Sequence, residues 1–425
     1  MKSLLHENRQ RIQGICLEGI HKEDQIEIIY AFLPDDTEDH GPAFFPILDN
    51  LKMSLCNKAN GYRQDEDTYF ESFFLPNKLF RAPKLKILSL EYCAVPKNPG
   101  TFQSLSHLSI KEIFKSNFAA RFLCRALLDM PNLESLKLTL VRGDFRPRPV
   151  TPVNFETQLA ILPRLHHIQV DAWPIKWIIP FLQMISFGPQ RTVRVSSYDV
   201  DKLEQLHQLF TCIMSHAIES SSIRRLMLHF QGVEVRVRAS HRNQDLRDDI
   251  HFSVSFPHSD ISRSRRNGFD PIPSLLNGLL RRMNLQDLQN LELSFSPPIS
   301  TQLWLKFFGK LPSLASIGIS SGEPQLFAAL IDGSDDAPIE TNVTMALPFQ
   351  ALSEVRIVDG GRGVYADEDM ECMLKCLRKL MDLGMTLKKL SFIMGGSESR
   401  LFDLLSQVDV FRGVVTALEV STNFY

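Results

Sequence analysis

The sequence predicts an α/β solenoid, with a curved parallel sheet on a concave side and helices and loops on the convex side. Three observations predict it. A short phrase with aliphatic residues at its first, fourth and sixth places recurs along most of the 425 residues. Helix-like sequence fills several gaps between copies. Polar residues separate the aliphatics in most copies, as in Leu133-Glu-Ser-Leu136-Lys-Leu138, so one face of each strand is greasy and the other is not.

Taken in order, Ile12, Ile15 and Leu17 make the first candidate strand, and Leu48, Leu51 and Met53 the second, with an acidic loop from Asp35 to Asp39 between them. Leu85, Leu88 and Leu90 follow Pro83 and run on to Cys93. The phrase returns at Leu105, Leu133 and Leu165. Between Leu105 and Leu133, Ser116 is a plausible N-cap for a helix carrying Phe118, Phe122, Leu123 and Leu127 and stopped by Pro131. After Pro174 the register is lost, and Val193-Arg-Val195 reads as one degenerate strand. Asp201 opens an amphipathic helix through Leu203, Leu206, Phe210 and Ile213 that leads to a strand at Ile223, Leu226 and Leu228. Residues 232–271 do not fit the repeat. There Val233, Val235 and Val237 alternate with charges, as do Phe252, Val254 and Phe256 with other residues, which predicts an inserted β-hairpin trailed by a basic loop with Arg263, Arg265 and Arg266. Further strands begin at Leu288, Leu314, Leu352, Leu387 and Val415. An acidic loop with Asp332, Asp335 and Asp336 and a helix from Asp367 to Gly384 lie among them. Successive starts are mostly about 26 to 38 residues apart, the spacing of an irregular leucine-rich repeat solenoid of about eleven to thirteen helix-bearing units in one domain.

A (β/α)8 enzyme barrel shares the strand-helix alternation, but its strands are covered on both sides and read as continuous aliphatic runs. Here Lys137, Gln169, Glu292 and Arg356 each sit between aliphatics, as an open sheet face requires. An enzyme of (β/α) type with an unrecognised site is the rival reading; the expectation is a protein that is not an enzyme.

The Pro-x-Leu-x-x-Leu-x-Leu units, their irregular spacing and the Cys93 ending resemble the leucine-rich repeat region of fungal F-box proteins over most of residues 80–425. That resemblance implies repeats that capture a protein substrate for a ubiquitin ligase. An F-box would have to precede the repeats, and the first candidate strand already begins at Ile12. Acidic residues follow the Leu33-Pro34 pair where the F-box helical pattern should begin. Docking of a ligase adaptor on this chain is therefore in question, and an F-box-free scaffold unrelated to ubiquitin is the alternative. The start at Ile12 also suggests a missing upstream portion or a shortened relative.

Composition narrows the class further. Apolar content of 44% with 23% charged residues belongs to a folded chain, and a net charge of -2 is unlike a dedicated nucleic-acid binder. Seven scattered cysteines form no disulfide framework and suggest a reducing compartment, cytoplasmic or nuclear. No apolar leader is expected among the first thirty residues, and the Trp177–Phe187 stretch is too short to cross a bilayer and is broken by Pro180, so no membrane contact is expected.

No cofactor, metal or catalytic residue is expected. Cys372 and Cys376 share a helix face but lack a second ligand pair, and His166-His167 lacks partners. Gly360 to Gly363 has no Lys-Ser/Thr ending and suits a strand-exit turn, and Asn342-Val-Thr344 is a sequon without a secretory context. The remaining candidate is the concave face, at the second, fourth and sixth places after each first aliphatic. It holds His107 and Lys111; Lys137; His167, Gln169 and Asp171; Arg225 and His229; Asn290 and Glu292; Glu354 and Arg356; and Lys389. The mixed signs favour an unidentified protein ligand over a polyanion.

Overall fold

A computed structural model describes residues 8, 10–20, 45–55, 82–91, 102–111, 123, 125–139, 160–187, 192–197, 204–205, 208–209, 211–213, 223–231, 234–240, 250–255, 276–277, 280, 283–296, 299–320, 323–332, 348–359, 367–395 and 408–423. They form a mixed α/β protein of two compact units, Met1–Asp199 and Val200–Tyr425.

The first unit contains β1 (Gly14–Ile20), β2 (Asn50–Leu55), β3 (Ile87–Glu91), β4 (His107–Lys111), β5 (Ser135–Thr139), β6 (Ala160–Leu162), β7 (His167–Asp171), α1 (Ile175–Gln183), β8 (Ile185–Phe187) and β9 (Thr192–Ser197). Its main sheet runs β1-β2-β3-β4-β5-β7-β9. All these neighbours are parallel and in chain order. Among the described residues the order never reverses, so these strands form no switch-point crevice of the kind at which doubly wound sheets bind ligands.

One turn recurs before the strands and fixes that register. An apolar residue accepts the amide N–H of the first leucine three places on: Ala82 from Leu85 at 3.0 Å, Met130 from Leu133 at 3.1 Å, and Leu162 from Leu165 at 3.1 Å. Pro83, Pro131 and Pro163 take the second place of these turns, where their fixed φ costs nothing. The next carbonyl link repeats too. Glu134 accepts from both His166 and His167, Ser106 from both Glu134 and Ser135, and Lys86 from both Ser106 and His107. Each strand thereby hands its register to the next. Leu51, Leu88, Leu108, Leu136, Ile168 and Val193 end up in one column, each at most 2% exposed. Full burial of such a side chain contributes about 1.5–3 kcal/mol.

The second unit contains β10 (Arg225–Gln231), β11 (Glu234–Ser240), β12 (Ile250–Ser255), β13 (Asn290–Ser296), α2 (Thr301–Phe307), β14 (Ser316–Ile319), α3 (Glu323–Asp332), β15 (Glu354–Asp359), α4 (Asp367–Asp382), β16 (Lys389–Gly395), a 3-10 turn (Asp409–Gly413) and β17 (Ala417–Asn423). The sheet order is β12-β11-β10-β13-β14-β15-β16-β17, parallel from β10 to β17. In the 232–271 segment β11 and β12 pair antiparallel, and β11 extends the sheet beside β10. Leu226, Leu291, Ile317, Val355 and Leu390 form the matching buried column. α3 packs against α2 and α4, burying Leu326, Phe327, Leu330, Met373 and Leu377. Trp304 and Phe308 meet at 5.5 Å between ring centres.

Among the described residues, neither β1 nor β17 pairs back to close a barrel. Among the described residues, α1, α2, α3 and α4 lie between parallel strands, and further helical residues are described at 123, 125–128, 204–205, 208–209 and 211–213. None of those helices is long and apolar enough to cross a membrane.

Two expectations need correction. The Trp177–Phe187 stretch is not broken at Pro180: α1 continues through it and β8 follows, pairing with β6 as a separate parallel ribbon. Pro180 gives the helix no N–H, yet its carbonyl still accepts from Met184 at 3.2 Å and the helix around it is held by the buried Trp177, Ile178, Phe181 and Leu182. Asp332 is not in a loop but is the last residue of α3. Asp35 to Asp39, Cys93, the Arg263–Arg266 loop, Asp335, Asp336, Asn342 and Gly360 to Gly363 lie outside the described residues. Of the helix expected after Ser116, residues 123 and 125–128 are described and are helical; of that after Asp201, residues 204–205, 208–209 and 211–213 are.

Candidate functional site

Because successive side chains alternate across a strand, the residues between the buried columns all emerge on the opposite, polar face. The predicted ladder lies there, and strand register sorts it into rows. In the second unit Arg225 aligns with Asn290, Ser316, Glu354 and Lys389, and the next row holds Glu292, Gly318, Arg356, Ser391 and Glu419.

These two rows form one chain of alternating charge. Arg225 meets Glu292 at 3.1 Å, and Glu292 meets Arg356 at 3.7 Å. Arg356 meets Glu354 at 3.9 Å, Glu354 meets Lys389 at 3.8 Å, and Lys389 meets Glu419 at 2.6 Å. Ser391 donates to the same Glu419 carboxylate at 3.2 Å. Three cations thus face three carboxylates, and the ladder is locally neutral. The Lys389 hydrogen bond holds the Glu419 carboxyl below its usual range, with the Ser391 hydroxyl adding to the effect. The same contact raises the Lys389 ammonium.

Glu292 and Arg356 stand two strands apart, roughly 10 Å between backbones. They meet because β14, between them, offers Gly318 at that row. A Cβ at Gly318 would lie 3.2 Å from Glu292 Cγ. On that face both Ser316 and Gly318 of β14 are buried, while Ile317 and Ile319 are buried in the core behind them.

The first unit is arranged differently. Glu18 pairs with Lys52, and Glu91 with Lys111. Burial pushes the Glu91 carboxyl up, but hydrogen bonds from Lys111 and Ser54 outweigh it and leave the group below its usual range. Beyond Lys111 the described residues form no further ion pair on this face. Lys137, Gln169 and Arg194 lie side by side on β5, β7 and β9, and neither Lys137 nor Arg194 has an ion-pair partner among the described residues. Gln169 instead donates to Asp171 at 2.5 Å. His167 is half-buried between these cations; burial first, then Arg194, His166 and Lys137, hold its ring below the ordinary histidine range. His107 is exposed, with Nδ1 2.8 Å from Ser106 Oγ. His229 is half-buried on β10, in the row beyond Glu292.

Every predicted ladder residue is therefore on a polar strand face, but in two separate groups. Missed were Glu18, Lys52, Glu91, Arg194, Gly318 and Glu419. The same counting rule finds them once applied to every strand, except Arg194, whose strand lacks the first leucine.

Cys372 is half-buried and Cys376 buried on α4, and the described residues contain no group of three His, Cys, Asp or Glu placed to hold a metal. No family model matches the chain, and no curated protein matches it.

Proposed function

We propose that this chain is a non-catalytic protein-recognition module of leucine-rich repeat solenoid type, and that a protein ligand docks on the polar strand face. One observation carries the reading: that face presents ordered, mostly half-exposed charged rows on consecutive parallel strands, while the other face is core. Long side chains held by register make a preorganised surface, which lowers the ordering cost of binding. The repeating turn and the double acceptance of each carbonyl suit a stacked repeat, in which each unit contacts only its neighbours.

By its resemblance to fungal F-box proteins, the ligand would be a substrate presented to a ubiquitin ligase. Affinity capture of the full chain from native extract, beside a variant carrying Lys137→Glu, Arg194→Glu and Arg356→Glu, tests both levels. A protein recovered with the native chain and lost with the variant supports recognition by this face. Co-recovery of a ligase adaptor and cullin supports the receptor form, and its absence favours a free-standing scaffold. Equal recovery of all proteins by both chains contradicts the reading.

A further inference from the structure

The charges of the two units differ in one respect that bears on the partner. In the second unit, Arg225, Arg356 and Lys389 are satisfied by Glu292, Glu354 and Glu419. In the first, Lys137 and Arg194 are exposed and without an ion-pair partner among the described residues, with Gln169 between them and His166 and His167 at the same end of β7. Among the described residues, Asp171 takes the Gln169 amide, and Glu134 makes no ion pair with either cation. Exposed cations are hydrated and repel each other only weakly across two strand steps, so both stay free to meet an incoming carboxylate.

We propose that the β5-β7-β9 face around Lys137, Gln169 and Arg194 is the docking point for an acidic, Asp/Glu-rich segment of the protein partner. This rests on the recognition reading above and specifies its chemistry. Lys137 and Arg194 are two strand steps apart, about 10 Å, which matches carboxylates roughly two to three residues apart in an extended segment crossing the strands. Gln169, midway, supplies a polar contact. Arg194 offers a guanidinium fork suited to a carboxylate. The patch is confined to one end of the unit, since Lys52 and Lys111 are already occupied by Glu18 and Glu91. A nucleic acid would instead require a continuous basic stripe.

The test uses the full chain and fluorescein-labelled deca-glutamate, with labelled deca-glutamine and an oligothymidylate of matched length beside it, read by fluorescence anisotropy at about 0.01 M and about 0.15 M ionic strength. The native chain should bind deca-glutamate at least ~10-fold more tightly than deca-glutamine at the lower salt. Lys137→Glu with Arg194→Glu should abolish that preference, Lys137→Gln with Arg194→Gln should weaken it, and Lys375→Gln, exposed on α4 rather than on the strand face, should change it less than ~2-fold. Unchanged circular dichroism assigns the losses to binding. Equal binding of both peptides by the native chain, no effect of either double variant, or preference for the oligothymidylate overturns the proposal. The wider reading fails separately: a captured partner lost on Arg356→Glu but kept by the Lys137/Arg194 variants overturns this patch and leaves face recognition standing.

Discussion

Gly318→Ala isolates what holds the charge ladder together. The new Cβ would lie 3.2 Å from Glu292 Cγ and 3.9 Å from its Cα and Cβ. The first distance is inside comfortable carbon contact, so Glu292 must give way by a few tenths of an ångström, which disturbs a pairing with Arg356 that is already 3.7 Å long. Two effects on stability oppose each other. Replacing a glycine in ordinary extended backbone stabilises by about 0.4–1 kcal/mol through the unfolded chain. Losing a half-exposed ion pair costs about 0.2–1 kcal/mol. The net change should therefore stay within ~1 kcal/mol of zero, and stability alone decides nothing. The coupling does. In a double-mutant cycle of Glu292→Gln and Arg356→Gln, read by urea unfolding, we expect about 0.5 kcal/mol with Gly318 present and a smaller coupling in the Gly318→Ala background. The Arg225–Glu292 coupling should change less, because those strands are direct neighbours. An undiminished Glu292–Arg356 coupling in the Gly318→Ala background would refute the argument that the missing side chain lets them meet.

Other outcomes follow from burial and charge. His167 is held below its ordinary value, so its contribution to stability is complete above the unfolded pKa of about 6.5 and is lost as pH falls toward the lowered folded value. His167→Gln should flatten the pH dependence of urea midpoints below about 6.5. Burial pushes the Cys212 thiol up to about 12, so iodoacetamide with peptide mapping should modify exposed Cys16 well before Cys212 in the folded chain. Phe411, fully buried and 5.8 Å from Phe392, closes the core under β16, and Phe411→Ala should cost about 3–5 kcal/mol in calorimetry.

The strands were legible because their apolar spacing follows directly from alternation. Leu136 and Leu138 face the core and Lys137 does not, as the phrase alone requires. α1 was not legible, since Pro180 reads as a breaker and only packing around Trp173 and Trp177 overrides it; their rings meet at 6.5 Å. β6 and β8 are three-residue strands, too short for any period to show. Within the site, positions were legible and partnerships were not. Glu292 and Arg356 are 64 places apart in the chain, and only strand order with a glycine between them brings them together. Arg194 hid in a strand where Gln190 stands at the first leucine place, leaving Val193 and Val195 as its only marks.

The division of each strand into a core face and a free face is tested most directly on one pair of neighbours. Leu136 is fully buried, and Lys137 beside it is exposed without an ion-pair partner among the described residues. Thermal unfolding of Leu136→Asp and Lys137→Glu, measured together, should show Leu136→Asp collapsing the first unit's transition, because it buries an unpaired charge. Lys137→Glu should melt within about 0.5 kcal/mol of the native chain. Equal destabilisation by the two substitutions would contradict the free face, and the recognition surface with it.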